Sequence, residues 1–314
     1  MKLNDADWPL NGWQADMRAG LHLARQQGRT IVLGTIIRLS GSSPRPVGTQ
    51  MLFDGAEASG YFSGGCLESD VANHAVNVQR DGNPLRLHYG TGSPWLDIRL
   101  VCGGALEIFL ERITPDDSSV ALLLNHAERR KPAIWQSDGL RRAVGPKRLE
   151  TPVYELRFDP IWRLVVIGHD PTCLALVELA RHAGFLTHIV WPNGSNTPPP
   201  WADVAYSREQ PGEVLEAIGS DAWTAVVAAT HDDDIDIRAL VSALGASAGY
   251  VGVLGSATRK HSRVDKLRAQ GVSEDQIARL HSPIGQMRCG KSPWEVAVSA
   301  MADIMQCRTW AAAR

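Results

Sequence analysis

The sequence predicts an α/β protein in two domains, an N-terminal α+β domain followed by a C-terminal Rossmann-like, doubly wound parallel sheet. Three observations carry that expectation. The chain has 314 residues, more than one hydrophobic core ordinarily organises. Its second half repeats an apolar strand, a glycine turn and a helix, the building unit of a parallel sheet. Its first half joins β-branched runs through Gly-containing turns, the pattern of antiparallel pairs.

Taken in order, Trp13 to Gln27 places Trp13, Met17, Leu21 and Ala24 on one helical face, and Gly28 closes it. Thr30 to Leu39 is a near-continuous apolar run, long enough for a buried strand. Ser40 to Thr49 is too rich in Pro, Gly and Ser for regular structure. Gln50 to Phe53 and Ala58 to Phe62 then read as adjacent strands around the Asp54-Gly55 turn. A helix is expected over Cys66 to Gln79, a strand over Leu85 to Tyr89 and another over Ala105 to Leu110. Residues 113–160 read as a connector with a short helix, Val120 to Arg129, and strands at Ala133 to Gln136, Arg141 to Val144 and Pro152 to Phe158.

Composition narrows the function. Apolar residues make up 44% and charged residues 21%, with a net charge of −2, so there is no electrostatic case for nucleic acid or an anionic membrane. No apolar run reaches the roughly 18 residues that span a bilayer, and MKLNDADWPLNGW lacks the charged-then-apolar order of a signal segment. A cytoplasmic protein is expected. The five cysteines are odd in number, widely spaced and form no CxxC pair, which argues against a disulfide framework and a structural zinc site.

The stretch Ser63-Gly64-Gly65-Cys66-Leu67-Glu68-Ser69-Asp70 draws attention because two glycines deliver a thiol to the start of a helix. Glycines permit positive φ and close backbone approach, and free N–H groups at a helix start attract anions and stabilise a thiolate. The competing reading makes Cys66 a small buried apolar residue, with Glu68 and Asp70 opposing a thiolate. Upstream, Ser42, Ser43 and Arg45 stand on a proline-stiffened loop suited to a carboxylate or phosphate, or simply to solvent. Cys102-Gly103-Gly104 mirrors Gly64-Gly65-Cys66 beside a strand, as at a bulge or a ligand pressed against backbone.

The segments GSSPRPVGTQML, GYFSGGCLESDV and LVCGGALEIFLE, in this order and spacing, resemble the N-terminal domain of the xanthine dehydrogenase accessory protein family (XdhC/CoxI). The resemblance implies a protein that binds molybdenum cofactor and delivers it to molybdenum hydroxylases. It makes Cys66 a contact to molybdenum or its sulfur, with Gly64 and Gly65 beside it. Cys102 with Gly103 becomes a second candidate, and Ser42, Ser43 and Arg45 become pterin or phosphate contacts. It divides the chain into a cofactor-binding domain over 1–112, the connector over 113–160 and the Rossmann-like domain over 161–314.

That last domain opens with the apolar strand Ile161 to Ile167, Gly168, a helix over Thr172 to Ala183 and a strand over Thr187 to Trp191, a βαβ start. Of the GxGxxG positions only Gly168 is glycine; the others read Asp170 and Cys173, and Trp191-Pro192-Asn193 stands where an acid would hold a ribose. NAD(P) binding is disfavoured on these grounds. Thr224 to Thr230 is a further strand, ending in His231-Asp232-Asp233-Asp234, either a metal or hydroxyl site or a cap for the helix over Ile235 to Leu244. Gly249 to Leu254 runs into Gly255, Ser256 and Arg259 and a long amphipathic helix, a good phosphate cradle. VVAATHDDDID, GYVGVLGSATRK, GVSEDQIARLHSPIG and SPWEVAVSAMADI are similar to the C-terminal domain of the same family. GQMRCGKS (Gly285 to Ser292) satisfies the P-loop pattern, but prolines flank it and no later strand supplies a second acid, only the helix Trp294 to Trp310.

The resulting expectation is an accessory protein rather than an enzyme. It would hold molybdopterin or its cytosine dinucleotide form between Cys66 and the second domain, help sulfurate it and pass it to an apo-hydroxylase of the xanthine dehydrogenase or aldehyde oxidase type. A cysteine desulfurase, a cofactor nucleotidyltransferase and a second copy of the chain are the further partners the resemblance implies. An NAD(P)-dependent oxidoreductase and a P-loop NTPase are the competing readings.

Overall fold

A computed structural model describes residues 16–41, 43, 45–55, 57–65, 67–93, 104–285 and 290–312. The chain divides into two compact units, 1–160 and 161–314.

The first unit contains α1 (Arg18–Gln26), β1 (Ile31–Ser40), β2 (Gln50–Asp54), β3 (Glu57–Ser59), α2 (Glu68–Asp81), β4 (Leu85–Gly90) and β5 (Ala105–Ile113). Its five strands run β3-β2-β1-β5-β4, every neighbour antiparallel. Alternation along β1 makes two cores from one strand. Val32 and Ile36 face Val71, Ala75 and Val78 of α2, whereas Ile31 and Leu33 face Leu21 and Ala24 of α1.

Residues expected as a connector form α3 (Ser118–Glu128), β6 (Ala133–Ser137), β7 (Arg142–Val144) and β8 (Tyr154–Phe158). The strands make an antiparallel sheet of order β7-β6-β8. Trp135, Val144 and Tyr154 complete the core that begins at Ile31 and Leu33, so this stretch packs within the first unit. A buried ion network ties it down. Glu111 of β5, fully buried, accepts hydrogen bonds from Ser137 Oγ, Arg142 Nε (2.8 Å) and the Tyr154 hydroxyl, and Arg142 also pairs with Asp117 at 2.8 Å.

The second unit contains β9 (Arg163–Ile167), α4 (Pro171–His182), β10 (Leu186–Val190), β11 (Val204–Ser207), α5 (Pro211–Ala217), β12 (Thr224–Ala228), α6 (Asp233–Gly245), β13 (Tyr250–Val253), α7 (Lys260–Ala269), α8 (Glu274–Ile277), β14 (Leu280–His281) and α9 (Pro293–Ala312). The sheet runs β11-β10-β9-β12-β13-β14, all parallel, the strand order of dinucleotide-binding folds. Leu164, Val166, Ala225 and Val227 face α4 and α9, while Val165, Ile167, Val226 and Ala228 face α5 and α6. Burial on both faces explains why these strands are unbroken apolar runs. The helix expected to be long and amphipathic after Gly255 is instead the ten-residue α7, in which only Arg263 and Leu267 are buried. Among the described residues no helix is long and apolar enough to cross a membrane.

Candidate functional site

In the first unit the Gly64-Gly65 turn leads into α2, which begins at Glu68 rather than at position 66. Phe62 anchors the turn: it is fully buried, and its ring lies over Gly34 of β1, where a Cβ would come within 3.1 Å. Gly64 (φ 85°) and Gly65 (φ 118°) are left-handed, and a Cβ at either would meet nothing within 4 Å. Backbone conformation, not crowding by the described residues, therefore requires glycine here.

The N–H groups of this turn do not await an external anion. The Glu68 carboxylate folds back over them: Oε1 accepts from Phe62 N (2.8 Å), Ser63 N (2.7 Å) and Gly64 N (3.2 Å), and Oε2 accepts from Gly65 N (2.9 Å), Leu67 N (3.1 Å) and Ser63 Oγ (2.8 Å). Burial works to raise the Glu68 pKa, but the Ser63 and Phe62 donors outweigh it and hold the carboxyl below its ordinary range. This corrects the expectation of free N–H groups at the start of this helix. The five backbone donors belong to residues 62–65 and 67, and their shared acceptor fixes the Gly64-Gly65 turn. Asp70 is committed elsewhere, accepting from the Tyr89 hydroxyl at 2.5 Å with His74 Nε2 at 3.6 Å.

Of the residues expected beside this turn, Ser42, Cys66, Cys102 and Gly103 lie outside the described residues. Ser43 turns its hydroxyl to the Arg45 carbonyl at 2.9 Å. Arg45 is brought to the turn: its guanidinium lies 4.9 Å from the centre of the Tyr61 ring, one residue before Phe62. Among the described residues its buried Nε has no hydrogen-bond partner and no carboxylate pairs with it. A half-buried guanidinium resting on an aromatic face with a free donor is suited to an anionic ligand.

In the second unit the carboxyl ends of β9, β12 and β13 form the crevice where open α/β sheets bind ligands. Gly168 follows β9 at φ 146°, and a Cβ there would lie 2.5 Å from the Ala229 carbonyl oxygen and 2.7 Å from Cys173 Sγ. It is glycine so that β9, β12 and α4 can close on one another. Asp170 caps α4, accepting from Cys173 N at 2.8 Å, and its other oxygen meets His231 Nε2 at 2.9 Å. Burial acts to raise the Asp170 pKa, and these two partners bring it below the ordinary range. The position of a dinucleotide's pyrophosphate is thus held by a carboxylate, and the His169 ring stacks on Trp191 at 3.9 Å across the next turn. Both features disfavour the NAD(P) reading.

The turn after β13 differs. Ser256 accepts from Thr258 N at 3.2 Å and shares a hydrogen bond with Thr258 Oγ1. A Cβ on Gly255 would lie 3.3 Å from Arg263 Nη2 and 3.7 Å from Arg259 Nη2, so two guanidiniums converge there. Arg263, which the sequence alone does not single out, is 2% exposed; it donates to Ser282 Oγ at 3.0 Å, and its Nε has no partner among the described residues. Burial lowers its pKa although Asp236 and Asp233 support the charge. Its place inside a run of basic residues hides it, because one arginine among several on a helix reads as solvated.

Two of the three consecutive aspartates are engaged by the protein itself. Asp232 accepts from Asp234 N and Ile235 N at the start of α6, and Asp233 pairs with Lys266. In the P-loop-like segment, residues 286–289 lie outside the described ones, but Ser292 is engaged in a reciprocal cap with Glu295 at 2.7 Å instead of standing free for a metal-bound phosphate. A groove of about 890 Å³ lies between α5, α6 and α7; of the residues singled out by sequence, Asp234 lines it, and none of those assigned to the cofactor does.

Comparison with known proteins follows this division. A family model described as the XdhC Rossmann domain matches residues 164–304, and one for the XdhC and CoxI family matches residues 24–90. The chain is 28% identical, over 91% of its length and 86% of the relative's, to a molybdenum cofactor insertion chaperone, PaoD, of Escherichia coli (strain K12). It is 26% identical to a Bacillus subtilis (strain 168) protein named as a probable xanthine dehydrogenase component, covering 88% of this chain and 93% of that one. The crystal structure of a xanthine dehydrogenase from Bacillus halodurans shares the fold with a TM-score of 0.75 at 22% identity, covering 93% of this chain and 95% of the other.

Proposed function

The chain belongs to the XdhC and CoxI family, and from that premise we propose that it is a molybdenum cofactor insertion chaperone for a molybdoenzyme of the xanthine dehydrogenase type. The Escherichia coli relative, matched over most of both chains, carries that role in its name. We take the relative named for xanthine dehydrogenase as indicating the enzyme class served.

The observation that carries the reading is Arg45. Its buried Nε lacks a partner among the described residues and its guanidinium lies on Tyr61, which leads into the Gly64-Gly65 turn. The cargo is a dithiolene-bound metal with a phosphate tail, so it needs a cation, a soft ligand and an open approach. Arg45 and Ser43 are assigned to the anionic part, and Cys66 to the metal or its sulfur. Ser42, Cys102 and Gly103 are kept as further contacts. Gly255, Ser256 and Arg259, now with Arg263, are a second anion position suited to a phosphate or to the nucleotide of a cytosine dinucleotide form. Sulfuration with a cysteine desulfurase, supply by a nucleotidyltransferase, action as a homodimer and a cytoplasmic setting complete the proposal.

The test is anaerobic titration of purified molybdenum cofactor into wild type, Cys66→Ala and Arg45→Ala, followed by tryptophan quenching and an elemental molybdenum count. Stoichiometric binding by wild type that weakens at least tenfold in each variant is expected. Wild type that ignores the cofactor but binds NAD(P) or ATP would overturn the reading.

A further inference from the structure

We propose that His281 and Cys307 bind one borderline or soft divalent cation of the zinc class, at a site separate from the cofactor contacts named above. His281 ends β14, and Asp303 and Cys307 lie four residues apart on one face of α9. Among the described residues they are the one group of three such side chains with ligand atoms within 4.8 Å of one another.

The arrangement within the group assigns the roles. Asp303 Oδ2 accepts from the Tyr250 hydroxyl (2.7 Å), from His281 Nδ1 (3.0 Å) and from Gly285 N (3.2 Å), and its side chain is 3% exposed. An oxygen with three donors is an orienting group rather than a ligand. It holds the imidazole proton on Nδ1 and leaves the lone pair on Nε2, which lies 3.8 Å from Cys307 Sγ. The Tyr250 ring packs on the imidazole at 4.3 Å and restricts its rotation. Tetrahedral zinc, with bonds of about 2.3 Å to sulfur and about 2.0 Å to nitrogen, separates two such donors by about 3.5 Å.

The two atoms therefore stand near ligand spacing without a cation. Carboxylate, imidazole and metal in line is also the arrangement that fixes a metal-binding histidine. The His281 side chain is 31% exposed and Cys307 is partly exposed, so water can complete the coordination. A thiolate with an imidazole selects zinc-class ions over magnesium and calcium. On binding, the S–H bond breaks, a sulfur–metal bond forms, and the proton leaves to solvent with no change of oxidation state.

The experiment titrates cobalt(II), as a spectroscopic stand-in for zinc, into the reduced, metal-free full chain. A thiolate-to-cobalt charge-transfer band saturating at one equivalent and bleached by zinc is expected. It should vanish in Cys307→Ser and need at least tenfold more cobalt in Asp303→Asn. No band in wild type, or an unchanged band in Cys307→Ser, overturns the proposal. Should the variant at buried Asp303 fail to fold, iodoacetamide labelling of wild type, read peptide by peptide, decides: zinc should slow labelling at Cys307 at least tenfold, and equal rates with and without zinc overturn the site.

Discussion

The Gly64-Gly65 turn of the first unit and the Gly168 turn of the second each lead into a helix, and in each a carboxylate of the chain itself takes donors at the turn. The two are built differently. Glu68 spans five backbone N–H groups and one hydroxyl and has no cationic partner among the described residues. Asp170 holds the N–H of Cys173 and one exposed histidine. Gly168 is glycine for packing, whereas Gly64 and Gly65 are glycine for backbone conformation, with none of the described residues within 4 Å of a Cβ at either. A glycine turn before a helix is therefore not in itself an anion site. What decides is which donors remain near the turn after the chain has satisfied its own, and among the described residues Arg45, beside Tyr61, and Arg263, beside Gly255, each keep a buried Nε without a partner.

The largest way to probe that contrast is Gly168→Ala, which forces a Cβ to 2.5 Å from the Ala229 carbonyl. Overpacking together with a left-handed backbone should cost about 3 kcal/mol in urea unfolding; a loss no larger than that of Gly65→Ala would break the distinction between the two turns. Glu68→Ala strands several N–H groups that water only partly recovers, and a loss of about 2 kcal/mol is expected together with weakened cofactor binding. Asp170→Ala removes one cap, worth about 1 kcal/mol, and should not create NAD(P) affinity, because Cys173 and the His169–Trp191 stack remain. Equal destabilisation by these two substitutions would show that the Glu68 donors are not acting together.

The smallest effect concerns pH. A carboxyl whose folded-state pKa is lowered contributes stability that is present above the ordinary glutamate range and is lost as pH falls through the lowered value. Glu68→Gln should thus reduce stability at neutral pH and flatten the acid side of the stability curve. A parallel curve for wild type and variant would remove the charge from the explanation.

The parallel strands are legible in the sequence because burial on both faces leaves an unmistakable apolar run, as in Leu164 to Ile167 and Thr224 to Ala228. The edge strand β11 and the helix α5 are not, since they lie among Pro- and Gly-rich residues and gain definition only by pairing with β10 and packing on α6. Position 66 stands out through its glycines, but the use of Glu68 does not. A carboxylate that folds back over its own helix start has the same sequence signature as one that faces solvent. Arg263 and the His281–Asp303–Cys307 group are hidden for a related reason, because their partners come from β13, β14 and α9, far apart in sequence.

The central claim is that this chain holds molybdenum cofactor for delivery, and the most direct measurement is transfer. Wild type loaded anaerobically would be mixed with an apo-enzyme of the xanthine dehydrogenase type, the two separated, and molybdenum counted in each alongside the enzyme's activity. Molybdenum should move to the enzyme and activity should appear faster than with the same amount of free cofactor, while Arg45→Ala fails to accelerate it. Molybdenum that stays with the loaded chain, or an apo-enzyme that fills equally well from free cofactor, would contradict the account.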